Sequence, residues 1–130
     1  MENHSSNNTF SLRKRIKSFS YAFRGVYFMI KSQQNAWIHL FIASFVIFAG
    51  LFFCISVTEW CFLIFAIGFV LSAEAFNTAI EELTNLVSPK QNPKAGTVKD
   101  VAAGAVLITA ITAAIIGIII FLPKVIALFQ

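Results

Sequence analysis

Three long apolar stretches divide this chain, and carboxylates interrupt the second of them before its helical pattern ends. The stretches cover residues 37–57, 59–87 and 97–122. As helices they are long enough to cross about 30 Å of hydrocarbon. No soluble core of this size could hide the 15 Phe residues together with the Ile and Leu side chains around them. Charged residues make up 12% of the chain, about half the share of a soluble domain. The expected fold is therefore all-α and integral to a membrane. A surface helix at residues 10–32 precedes the three spans, and residues 10–130 form a single membrane domain. Residues 1–9 are polar, with no apolar core or small-residue cleavage site; they read as a disordered start and not as a secretory signal.

The surface helix is read from Leu12, Ile16, Phe19, Phe23, Val26 and Ile30, which recur in steps of three and four. Arg13, Lys14, Lys17, Arg24 and Lys31 fall on another face, with Arg15 the exception. A basic amphipathic helix beside a span is expected in the membrane interface, with Gly25 as a point of bending. Trp37 and Trp60 are placed to anchor the two interfaces. Residues 88–96 read as a loop from their Pro, Asn and Gly content, with Thr97 capping the third helix and Pro123 perturbing its end. Cys54 and Cys61 read as small apolar residues at helix ends and not as a disulfide.

Charge sets the topology. Six of the ten basic residues lie within residues 13–31, and Lys90, Lys94 and Lys99 border the second loop. Three spans place both clusters on one side, which the positive-inside rule assigns to the cytoplasm. Such clustering beside a span is attraction to anionic lipid, so nucleic acid is not an expected partner. The second span is longer than a bilayer requires, so its polar last third emerges on the cytoplasmic side.

Glu74 and Glu81 are seven residues apart, two turns on one helix face, with Asn77 and Thr78 close to the same stripe. A carboxylate near lipid costs a few kcal/mol or more and is usually retained for a function. Carboxylates with amides suit magnesium, a hard cation that shares its oxygen ligands with substrate phosphates. A carboxylate in an apolar wall suits the removal of a proton from a lipid hydroxyl. Lys99 and the basic helix can offset nucleotide phosphates. A membrane phosphotransferase acting on a lipid alcohol follows, while the absence of a Walker loop or protein-kinase signature excludes the common nucleotide folds. The alternative is that Glu74, Asn77 and Glu81 serve as hydrogen-bonding glue between helices. His39 reads as an interfacial hydrogen-bonding group, and Glu82 as a solvated or intersubunit one.

The run Glu74-Ala-Phe-Asn-Thr-Ala-Ile-Glu-Glu82, followed by Lys94-Ala-Gly-Thr-Val-Lys-Asp-Val-Ala-Ala-Gly-Ala-Val-Leu107, resembles the prokaryotic diacylglycerol kinase family, which includes the undecaprenol kinases. The resemblance spans residues 19–122 and takes in Asn35, Ile38 and His39. It implies a homotrimeric kinase that transfers the γ-phosphate of ATP, with magnesium, to a lipid alcohol. Diacylglycerol is the first acceptor it suggests and undecaprenol the alternative. By position, Glu74 resembles the general base, Asn77 a polar partner in the active centre and Glu81 a magnesium ligand. Lys99 and Asp100 resemble the nucleotide-binding pair, with Tyr21 and Lys14 as surface-helix contacts to ATP. Two positions depart from the family pattern. Gln33 stands where a second metal-binding glutamate is expected, and Asn85 where aspartate is common. The loss of two negative charges keeps open a further alternative, a non-enzymatic membrane homologue.

Overall fold

A computed structural model describes residues 11–90 and 92–130. The proposed disordered stretch, residues 1–9, lies outside them. Four helices follow in order: α1 (Leu12–Ser32), α2 (Gln34–Phe52), α3 (Val57–Val87) and α4 (Pro93–Ala127). The described residues contain no strand, so the protein is all-α. Helices α2, α3 and α4 are long and apolar enough to cross a membrane.

Local chemistry explains each boundary. Ser11 opens α1, its hydroxyl accepting from the Lys14 backbone N–H. The helix then runs through Gly25 without a break. A single extended residue, Gln33, joins α1 to α2. At the far end Ser56 and Glu59 form a reciprocal capping box. The Glu59 backbone N–H donates to Ser56 Oγ, and the Ser56 N–H donates to Glu59 Oε2 at 2.7 Å. Helix α4 begins at Pro93, a turn before Thr97. Its cap is Asn92, whose Oδ1 accepts from the Lys94 N–H at 2.9 Å. A proline at the first helical position has its φ already set and no N–H to leave unpaired, so the loop is shorter than its composition suggested. Pro123 lies inside α4, which continues to Ala127.

The tightest packing pairs α3 with α4, while α1 touches both α2 and α3. Small and mid-sized side chains make that close approach possible: Ala66 and Val70 on α3, Ala102 and Val106 on α4 are all buried. Far from the basic side, Ile55, Leu63 and Ile120 form a core cluster with Phe53, Trp60 and Phe121 against it. Lys124 closes this end on Glu59 at 3.0 Å. Large apolar residues such as Phe41, Phe45, Phe48, Phe65 and Phe69 face outward, as lipid contact requires. Cys54 and Cys61 are free thiols.

Gly50 is the tightest joint. A Cβ there would meet the Trp60 ring at 2.9 Å and Ile55 Cδ1 at 3.1 Å. Gly50→Ala is expected to destabilise the protein by about 1–3 kcal/mol, since Trp60 must leave its seat. A lower unfolding temperature in detergent checks this, and an unchanged one would show that the indole moves freely.

Candidate active site

The site begins where α3 outgrows the membrane. Its 31 residues extend about 46 Å, against about 30 Å of hydrocarbon. That excess is enough for the last turns of α3, with Glu81, Glu82 and Asn85, to reach beyond an apolar zone. Glu74 sits further in, buried at 1% exposure, with Asn77 and Thr78 buried beside it. The Thr78 hydroxyl turns back to donate to the Glu74 carbonyl at 2.8 Å, which satisfies it within the helix.

Glu81 is the hub of a three-residue cluster. Gln33 donates from Nε2 to Glu81 Oε2 at 2.7 Å. Asn77 donates from Nδ2 to Glu81 Oε1 at 3.2 Å, one turn along the same helix. The joint between α1 and α2 is thereby fastened to α3. Asn77 Oδ1 is buried with no hydrogen-bond partner among the described residues. All the groups are oxygen-bearing, the donor chemistry magnesium takes, and an amide offers either its oxygen or its nitrogen by turning through half a circle. Among the described residues no three His, Cys, Asp or Glu side chains form a metal-binding group. The cluster fits a cation that leaves most of its coordination to phosphate and water, with Glu81 its one carboxylate.

Glu74 stands apart from this cluster. Its Oε1 lies 3.4 Å from His39 Nε2, which is ion-pair distance, yet no hydrogen bond from the described residues reaches that oxygen. A buried carboxylate oxygen without a hydrogen bond is costly to hold. His39 opens onto a groove between α2, α3 and α4 with a volume of about 510 Å³. Every other lining residue is apolar, Ala43, Leu63, Val70, Ala114 and Phe121 among them.

A second, polar cleft of about 570 Å³ lies where α3 gives way to α4. Thr84, Asn85, Ser88, Lys90, Asn92 and Lys99 contribute to it. Lys99 Nζ donates to Asn85 Oδ1 at 2.6 Å, a link across the two helices. Asp100, beside Lys99, is exposed.

The expected site residues thus divide into groups. Gln33, Asn77 and Glu81 come together; Glu74 lies two turns below Glu81; Lys99 and Asn85 line the cleft above. Lys14 and Tyr21 remain on the exposed face of α1, with Lys17 and Arg24 over the Tyr21 ring at 5.9 and 5.4 Å. No hydrogen bond or ion pair among the described residues ties those two to Glu74 or Glu81. Glu82 is turned toward α1, lining a small recess with Gly25 and Met29. Sequence reasoning missed the contact of His39 with Glu74. Its signal was present, a histidine at the start of one apolar helix and a carboxylate at matching depth in the next.

Comparison with known proteins agrees with this layout. The family described as prokaryotic diacylglycerol kinase matches residues 20–121. An undecaprenol kinase of Bacillus subtilis is 39% identical over 113 residues, which cover 87% of this chain and 92% of that protein. A diacylglycerol kinase of Synechocystis is 36% identical over 112 residues, 85% of this chain and 64% of its own length. No solved structure matches the chain. With a family match over most of its length, three apolar helices and a buried carboxylate beneath a polar cluster, the chain belongs to the prokaryotic diacylglycerol kinase family of membrane lipid kinases.

Proposed function

We propose that the protein phosphorylates a long-chain lipid alcohol with ATP, and that the acceptor is undecaprenol. One observation carries the kinase reading: buried Glu74, with an oxygen that has no hydrogen bond among the described residues, lies against His39 in the wall of an apolar groove, two turns along α3 from Glu81 and its oxygen-rich cluster. The undecaprenol reading draws on the Bacillus relative, which this chain matches nearly end to end. Diacylglycerol, the acceptor that the sequence suggests first, is the second reading. The name of the Synechocystis relative favours it, although the chain spans only 64% of that protein.

In the proposed reaction the lipid enters sideways from the bilayer and ATP docks from the cytoplasm at the polar cleft. The lipid oxygen attacks the γ-phosphorus, its new O–P bond forming as the bond to the β-phosphate oxygen breaks. Glu74 takes the hydroxyl proton, and ADP leaves. Lys99, positioned by Asn85, offsets negative charge on the phosphates, with Asp100, Lys14 and Tyr21 proposed as further nucleotide contacts. Glu81, Gln33 and Asn77 are the groups that would hold magnesium. Magnesium supplies neutralisation of charge shared between the phosphates. The chain's own part is to hold Glu81 between two amides and to keep water from Glu74. The assembly is proposed to be a homotrimer in a bacterial inner membrane, with the basic α1 in the cytoplasmic interface, on the family resemblance and the charge distribution.

Purified protein in a bilayer mimic, given γ-labelled ATP, magnesium and each lipid in turn, tests the function. Label is expected in polyprenyl phosphate, with diacylglycerol a poorer acceptor. Faster labelling of diacylglycerol reverses the substrate order. Transfer to neither lipid makes this a non-enzymatic homologue.

A further inference from the structure

The groove between α2, α3 and α4 has one polar residue in its lining, and that residue is also the neighbour of the buried Glu74 oxygen. We propose that His39 is a positioning residue of the reaction, aligning Glu74 toward the acceptor hydroxyl that the groove delivers. The inference rests on the reading of Glu74 as the base.

Three observations converge. First, Glu74 Oε1 has no hydrogen-bond partner among the described residues, so no hydrogen bond from α3 holds that oxygen in place. The Thr78 hydroxyl, its polar neighbour one turn on, is spent on the Glu74 backbone carbonyl. Second, His39 comes from a different helix. Its Nε2, 3.4 Å from Oε1, needs only a small rotation of either side chain to donate a hydrogen bond. Third, the His39 side chain is 19% exposed against 1% for Glu74, so it stands on the groove side of the pair. A lipid chain filling the groove has every apolar wall satisfied and meets polarity at His39 alone. Its hydroxyl therefore comes to rest beside the His39–Glu74 pair.

The division of labour follows from the chemistry. A carboxylate that must take a proton needs one oxygen aimed at the hydroxyl and the other held still. An imidazole N–H donated to one oxygen provides the hold and leaves the second free. His39 neither gains nor loses a proton in this step; the proton passes from the lipid oxygen to Glu74. A small misplacement of a reacting group costs about 10²-fold in rate, so loss of the hold should appear in kcat and not in nucleotide binding.

The test compares His39→Leu, His39→Gln and Glu74→Gln in full-length protein, with KM for ATP, kcat on the preferred lipid, and unfolding temperature measured for each. His39→Leu should lose about tenfold to hundredfold in kcat while KM for ATP stays within about twofold. His39→Gln, whose amide N–H reaches toward the same place, should recover most of that loss. If His39→Leu keeps its kcat, the inference is wrong. It is equally wrong if kcat falls alike in both variants, or only in step with a lower unfolding temperature, because His39 is then merely structural. Should Glu74→Gln remain active, the base itself was misassigned. A dead Glu74→Gln beside a normal His39→Leu overturns this inference alone.

Discussion

Replacing Glu74 with glutamine is expected to remove nearly all turnover, by about 10²–10⁴-fold, and to leave the fold intact. Glutamine has the shape of glutamate but carries no charge and cannot take the proton. The contacts around it favour tolerance. The Thr78 hydroxyl bonds to the backbone carbonyl and not to the carboxylate, and His39 still faces an oxygen or an amide nitrogen. A neutral amide is also cheaper to bury than a carboxylate, so the unfolding temperature should hold or rise. Phosphate transfer and thermal unfolding, measured on the same preparation, separate the two effects. Near-normal transfer would mean that the hydroxyl proton leaves by another route and that Glu74 is structural after all.

The sequence made the membrane architecture legible because lipid leaves so few choices. Only closed hydrogen bonding survives in hydrocarbon, so an apolar run of sufficient length has to be a helix. The ends of helices were less legible. Thr97 looked like a cap, yet Asn92 followed by Pro93 outcompetes it, because proline at the first helical position forgoes a bond that position never makes.

Within the site, spacing along α3 was readable and contact across helices was not. Glu74, Asn77 and Glu81 shared a stripe by arithmetic alone. That Gln33 reaches Glu81 depends on how α1 and α2 fold back at a single extended residue, which no periodicity records. His39 meets Glu74 for the same kind of reason: each lies on its own helix, and only the packing of α2 on α3 fixes their depths relative to one another. Asn85, which adds no charge to the site, nonetheless accepts a hydrogen bond from Lys99 at 2.6 Å.

Glu81 carries the second large effect, and Gln33 tells why. Glu81→Ala removes the one carboxylate of the cluster and strands two amide donors, Gln33 Nε2 and Asn77 Nδ2. Turnover should fall on the order of 10³-fold through lost charge stabilisation, with a modest drop in stability from the unpaired donors. Gln33→Glu is the sharper companion. It would set a second carboxylate against Glu81 where a hydrogen bond of 2.7 Å now stands. Two like charges at that range repel, so without a divalent cation the variant should unfold at a lower temperature than the parent. With magnesium the same pair becomes a stronger ligand set. Stabilisation by a ligand grows with its concentration relative to its dissociation constant, so the unfolding temperature of Gln33→Glu should climb steeply with magnesium while that of the parent climbs little. This readout is independent of turnover. Equal responses in both proteins would mean that Gln33 and Glu81 are partners in packing alone, and that the cation is held elsewhere.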